Sequence, residues 1–343
     1  MYHALLLHPR SLTAWLPHLV IAGSITLAAC DAGDSTAPAT PGDDDAPVSL
    51  SRGPTGQACV GCPTVTSHIL FSRLTPTGNR DIYIMNPDGT GRTAVAATVA
   101  QEREPAWSPN YTRLVFSREK IGAGGSQLNG LWTIGWDGSS PVRVTTHPAD
   151  RAASWGKTNR IAFHSTRDNA LTTANEIYTL NPDGTGLVRL TTGAADDRDP
   201  AWSSDGTRIV FASDRSTYSR TGRGHMHLWV MNANGTGLKQ LTSGSEDESQ
   251  PAWSPDGTRI VYHYTTGIAA IYANGTKDNS INMPSTDNGK TWYYGEPTWS
   301  PDGQSLAITS TYDGLYRIYI WTPGFGLRLT PQAEQDQFPA WSR

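Results

Sequence analysis

One short phrase recurs along this chain at a near-constant interval. It reads "PAWSPNYTRLVFSRE" from Pro105, "AASWGKTNRIAFHST" from Ala152, "PAWSSDGTRIVFASD" from Pro200, "PAWSPDGTRIVYHYT" from Pro251 and "PTWSPDGQSLAITST" from Pro297, with a sixth fragment, "PAWS", at Pro339. The tryptophans Trp107, Trp155, Trp202, Trp253, Trp299 and Trp341 are spaced by 48, 47, 51, 46 and 42 residues. Each phrase reads as a hairpin: a strand ends at Trp-Ser, the chain turns where Pro presets φ and Gly accepts φ > 0, and an apolar strand returns. A second hairpin follows each first one, as in "DIYIMNPDGTG" from Asp81, "EIYTLNPDGTG" from Glu176 and "HLWVMNANGTG" from His227. A fourth short strand such as "RLT" commonly closes the unit. Four short antiparallel strands per period of this length match one propeller blade, whereas solenoid repeats are shorter or helical.

The count predicts how the ring closes. The first unit, "SHILFSRLTPTGNRDIYIMNPDGTG" from Ser67, supplies three strands and lacks the Trp phrase, and the fragment at Pro339 supplies that missing strand. Joining them leaves no open sheet edge. The expected fold is therefore all-β, a six-bladed propeller of four-stranded antiparallel blades over residues 67–343, closed by the C-terminal strand completing the N-terminal blade. Composition agrees: among 343 residues there are 34 Gly and 23 Pro and only 17% charged side chains, which suits many turns between short strands. A net charge of -4 draws the molecule toward no polyanion, so nucleic-acid binding is disfavoured.

The segments ahead of the repeats read differently. Residues 1–29 carry the mostly apolar run "LTAWLPHLVIAGSITLAA" and are expected to be a signal peptide. "LAAC" resembles the lipobox of bacterial lipoproteins, which would make Cys30 a lipidated residue. Residues 30–66, rich in Asp, Pro, Gly, Ser and Thr, bury too little to offset their ordering entropy and are expected to be a flexible tether. Cys59 and Cys62 lack the context of a redox or zinc motif, and a small local disulfide is expected there.

"PAWSPDGTRIVY" followed by "IYTLNPDGTG" and "RLT" resembles the repeat of TolB-type propellers, also called WD40-like or PD40 repeats. The resemblance covers nearly all of the chain after residue 66 and implies six blades closed in this manner. It further implies a place in the bacterial cell envelope, facing the periplasm or cell exterior, and binding to an envelope protein. Family members carry a folded α/β domain ahead of the propeller, where this sequence has the tether. Propeller peptidases of the prolyl oligopeptidase kind share the fold but add a hydrolase domain.

Repetition argues structure, so function is sought where the repeats differ. The second-to-third and fourth-to-first connections vary in length and share one face, which is the expected working surface. The approaches to the inner strands are acidic, with "QERE" before Pro105, "GAADDRD" before Pro200, "GSEDES" before Gln250 and "AEQD" before Gln337. They are expected to form a solvated rim with Arg103, Arg151 and Arg198 beside the acids. "STDNGKTWYYGE" resembles an Asp-box but occurs once, and a stabilised turn is the expectation. The candidate binding residues are Trp292, Tyr293, Tyr294, Asp197, Asp199, Glu246, Asp247 and Glu296.

His164, His225, His227 and His263 do not assemble by spacing into a metal site, and neither "GxSxG" nor "HExxH" is present. No cofactor and no catalytic residue is assigned. The reading is a monomeric, non-catalytic binding module for an envelope protein or glycan, touching the membrane through its lipid anchor alone. The alternative is a polysaccharide- or peptide-processing enzyme with its site at the channel mouth.

Overall fold

The computed structural model describes residues 67–120, 128–168, 174–217, 224–265, 267–284, 286–287, 290–291, 293–323, 325–330 and 334–342. Residues 1–66, where the signal peptide, the lipidated Cys30, the tether and the Cys59–Cys62 disulfide are expected, lie outside the described residues, as does Trp292. Six four-stranded antiparallel sheets are present among the described residues, and each pairs its strands in radial order from inner to outer. We number the blades 1 to 6, blade 1 being the one that contains Ile69–Leu74 and Arg80–Met85.

The turn chemistry follows the repeated letters. In blades 2, 4, 5 and 6 the Ser after Trp accepts a backbone N–H from five residues on, as Arg208 N to Ser203 Oγ at 3.0 Å and Arg259 N to Ser254 Oγ at 2.9 Å. The same hydroxyl donates to the turn's Asp or Asn, as Ser254 Oγ to Asp256 Oδ1 at 2.5 Å. Both ends of the turn are thereby fixed by side chains rather than water. In the "NPDGTG" turns the glycine is obligatory for two reasons. At Gly89 φ is +82°, and a Cβ there would stand 2.6 Å from the Leu329 carbonyl oxygen of the preceding blade.

The core is distributed over the seams between blades. Six buried clusters among the described residues each join residues of two adjacent blades, such as Leu70, Ile82 and Ile84 with Trp107, Leu114 and Phe116 across the seam of blades 1 and 2. The repeated tryptophans serve these seams. Trp107 Nε1 donates to Ala340 O and Trp299 Nε1 to Ala252 O, both at 3.1 Å and both in the preceding blade. Arg208 and Arg259 lie over the rings of Trp253 and Trp299, one blade on.

Closure is as the repeats predict. Gln335–Trp341 forms the inner strand of blade 1 and pairs with Ile69–Leu74 through Ile69↔Trp341, Leu70↔Ala340 and Arg73↔Asp336. Ser342 N also donates to His68 O, and His68 N to Ser342 Oγ. The Asp-box-like stretch contributes a two-stranded hairpin, Thr286–Asp287 with Lys290–Thr291, between blades 5 and 6.

Candidate functional site

The inner strands carry the same irregularity in every blade. Three residues before each repeated Trp stands a non-glycine residue with positive φ: Glu104 (56°), Ala152 (49°), Asp199 (53°), Gln250 (53°), Glu296 (53°) and Phe338 (57°). Each coincides with a register shift against the second strand, that is, a β-bulge. Except in blade 3, the next residue is Pro, which can stand at a bulge because no ladder bond needs its missing N–H. A non-glycine residue in this region costs on the order of 1–3 kcal/mol, so six in register require compensation.

A ring of hydrogen bonds around the channel supplies it. Ala152 N donates to Glu104 Oε2 (2.8 Å), Gln250 N to Asp199 Oδ2 (3.2 Å), Glu296 N to Gln250 Oε1 (2.9 Å) and Phe338 N to Glu296 Oε2 (2.7 Å). Each bulge side chain thus accepts the bulge N–H of the following blade. Ala152 has no acceptor to offer, and His164 Nδ1 of the same blade accepts Asp199 N instead, at 3.1 Å. At the sixth junction Phe338 has no acceptor.

The ring places three carboxyls, Glu104, Asp199 and Glu296, on alternate blades. Burial raises the Asp199 carboxyl above the usual range against the pull of His164, and the same burial lowers the His164 imidazole. Burial likewise pushes Glu296 up to about 7, opposed by hydrogen bonds from Thr309 and the Phe338 N–H. Tyr293 belongs to this wall. Its hydroxyl is hydrogen-bonded to Gln250, its ring lies 5.3 Å from His263 and 5.6 Å from Tyr316, and a Cβ on Gly295 would stand 1.9 Å from its oxygen.

Most of the acidic approaches are not the solvated rim that the sequence suggests. Five residues before Trp, Asp336, Glu102, Asp150 and Asp197 are at most 1% exposed. Each pairs with an arginine that ends or follows the second strand of its own blade: Arg73, Arg118, Arg167 and Arg215. Those guanidiniums lie over aromatic rings of strands two and three, such as Phe116 and Trp132 for Arg118. Charge that looks solvated in the sequence is a repeated internal brace. Blade 5 departs from this: Glu248 accepts from Thr242 and Leu228 N, and burial pushes its carboxyl up to about 7. Of the expected pairings, Arg198 binds Asp196, whereas Arg151 binds Glu119 and Arg103 binds Gln101.

The seven candidate residues among those described therefore divide. Asp199, Glu296 and Tyr293 converge on the channel wall. Asp197 is committed to Arg215 and Ser213. Tyr294 packs against the seam of blades 5 and 6. Glu246 and Asp247 are exposed, with His225 Nδ1 3.4 Å from Asp247. Sequence reasoning did not single out Glu104 and Gln250 in the ring, nor Val99, Tyr312 and Leu315, which are 75%, 63% and 38% exposed. These three lie in a fourth-to-first and a second-to-third connection, on the face with the variable loops. No group of three or more His, Cys, Asp or Glu among the described residues is placed to hold a metal ion.

No family model matches the chain. Among curated proteins it is 32% identical over 159 residues to a TolB homolog of Chlorobium luteolum, covering 46% of this chain and 32% of that one. It is 31% identical over 110 residues to the Tol-Pal system protein TolB of Alcanivorax borkumensis, covering 32% of this chain and 24% of the relative. The matched stretches thus span about a quarter to a third of these relatives. The crystal structure of TolB from Acinetobacter baumannii superposes with a TM-score of 0.64 at 18% identity, over 81% of this chain and 67% of that one. Repeat, blade order and relatives agree: the chain carries a TolB-like six-bladed β-propeller.

Proposed function

We propose that this chain is a lipid-anchored propeller of the bacterial cell envelope that acts as a non-catalytic binding module for a protein partner. The observation that carries this reading is the exposure of Val99, Tyr312 and Leu315 on the variable-loop face, in the sector of blades 6, 1 and 2. Regular strands and Asp-Gly turns are committed to the scaffold, and apolar side chains left in water beside a channel mouth are the usual material of a contact surface. The exposed acids Glu246 and Asp247 stand on the same face, in the connection from blade 4 into blade 5. The Alcanivorax relative bears the name of the Tol-Pal system, which supports an envelope protein as the partner class. The lipid on Cys30 holds the propeller at the membrane, and residues 31–66 give it reach.

Site-specific photocrosslinking in a bacterial host tests the face. A crosslinker at Tyr312 should yield a discrete protein adduct, and one at Leu187, exposed just ahead of the outer strand of blade 3, should not. The adduct should persist but leave the membrane fraction in Cys30→Ser. Equal crosslinking from both positions would refute the assigned face, and unchanged membrane sedimentation of Cys30→Ser would refute the anchor.

A further inference from the structure

The seam between blades 1 and 2 holds a buried cation that forms no ion pair among the described residues. Arg80 opens the third strand of blade 1, directly after the turn from Thr75 to Asn79, and is 8% exposed. Alternation along that strand puts it on the side of Ile82 and Ile84, which pack onto blade 2. Its Nη1 is fully buried and has no hydrogen-bond partner among the described residues. Across the seam, Gln101 Nε2 donates to Gly78 O at 3.0 Å, and Arg103 Nη2 donates to Gln101 Oε1 at 3.3 Å. Arg103 Nε is also buried without a hydrogen-bond partner among the described residues. Gln101 therefore ties Arg103 to the loop that leads into Arg80.

The arrangement inverts the rule seen elsewhere around the channel. Arg73, Arg118, Arg167 and Arg215 each pair with a buried carboxylate, whereas among the described residues Arg80 and Arg103 form no ion pair. The charged groups that face Arg80 are Arg103, Glu296 and Asp336, with Tyr316 beside them. Asp336 is held by Arg73 through Nε at 3.0 Å and Nη2 at 3.3 Å, and Glu296 by Thr309 and Phe338 N. Neither carboxyl is free to cap the arginine pair. Burial, followed by repulsion from Arg103, lowers the Arg80 guanidinium from its ordinary value against the opposing pull of Glu296 and Asp336. A buried guanidinium to which no carboxylate hydrogen-bonds is costly, and a second one nearby adds repulsion, so this pair offers one half of a charge-assisted contact.

We propose that Arg80 and Arg103 form a receiving site for a carboxylate, presented at the channel mouth by an acidic side chain or C-terminus of a polypeptide. A singly charged carboxylate fits better than a phosphate dianion because Glu296 and Asp336 already add negative potential there. The fork geometry of two guanidiniums suits carboxylate oxygens. The site lies in the sector of Val99 and Tyr312, so the inference deepens the partner reading by giving the docking polypeptide an acidic anchor. It can nevertheless be tested without any partner.

The test titrates the full-length protein with sodium acetate against sodium chloride and against acetamide at constant ionic strength, following the thermal midpoint. Acetate should raise the midpoint saturably, while chloride and acetamide should not. Arg80→Gln and Arg103→Gln should each abolish that increment. Arg80→Gln should be no less stable than the parent in chloride, because it removes an unpaired buried charge. Equal responses to acetate and chloride, an increment that survives in either variant, or a marked loss of stability of Arg80→Gln in chloride would each overturn the proposal. A larger increment with inorganic phosphate than with acetate would overturn the carboxylate assignment. Because none of these readings uses a partner, loss of crosslinking from Tyr312 with a retained acetate response would sink the docking face alone.

Discussion

Glu296 shows how much one side chain can carry in a ring. It is half-buried, accepts from Phe338 N and Thr309, and has its carboxyl pushed up to about 7 by burial. Glu248 is pushed to the same value in blade 5. Both groups hold a proton more tightly folded than unfolded, where a glutamate titrates near 4.5. Between pH 4.5 and about 7 the native state therefore binds more protons, so stability falls as pH rises through that window and levels off above it. Glu296→Gln keeps an oxygen for the Phe338 N–H and removes the titration. It should raise stability at pH 8 by about 1–3 kcal/mol, change little at pH 5, and flatten the thermal midpoint between them. Identical pH profiles for parent and variant would show that Glu296 ionises without cost. Little of this was legible in the letters. Glu296 stands out because the third residue before Trp varies (Glu, Ala, Asp, Gln, Glu, Phe) inside an otherwise uniform phrase, but burial, which sets its proton affinity, is a property of the assembled channel.

At the scale of the strand, turns were readable and bulges were not. "SPDG" and "NPDGTG" state their own geometry, because Ser, Asp and Gly act within five residues of one another. The bulge depends on what lies across the sheet, and its compensation comes from the next blade, some 42 to 51 residues away. The arginine braces failed to show for a related reason. Asp197 and Arg215 are 18 positions apart, and as letters each is an ordinary surface charge. The ring makes a distinct prediction here. Gln250→Leu keeps volume but deprives Glu296 N of its acceptor, which should cost about 1–3 kcal/mol. Native-state hydrogen exchange should show the Glu296 amide losing protection, with blade 2 amides little changed. Retained protection at Glu296 would mean that the ring bond contributes nothing to holding the bulge.

The whole molecule was the most legible level, because a repeat that counts to five complete units and two complementary fragments leaves few ways to bury its edges. The seam clusters explain why: each blade's apolar faces are covered only by its neighbours, so stability belongs to the circle and not to any blade. Removing residues 338–343 takes away Trp341 and two of the five residue pairs with Ile69–Leu74, those of Trp341 and Ala340. Equilibrium unfolding should show a loss of at least about 3–5 kcal/mol, the cost of deleting one buried tryptophan, and the shortened protein should self-associate through its bare strand. A monomer with an unchanged midpoint would rule out this account of closure. The same pairing also sets a clock. Leu70 must wait for Ala340, 270 residues later in synthesis, before its strand has a second neighbour. At about 5–20 residues per second that delay is on the order of 10–60 s. Throughout it the second strand of the first blade keeps an open hydrogen-bonding edge, so the hazard for this protein lies in its infancy.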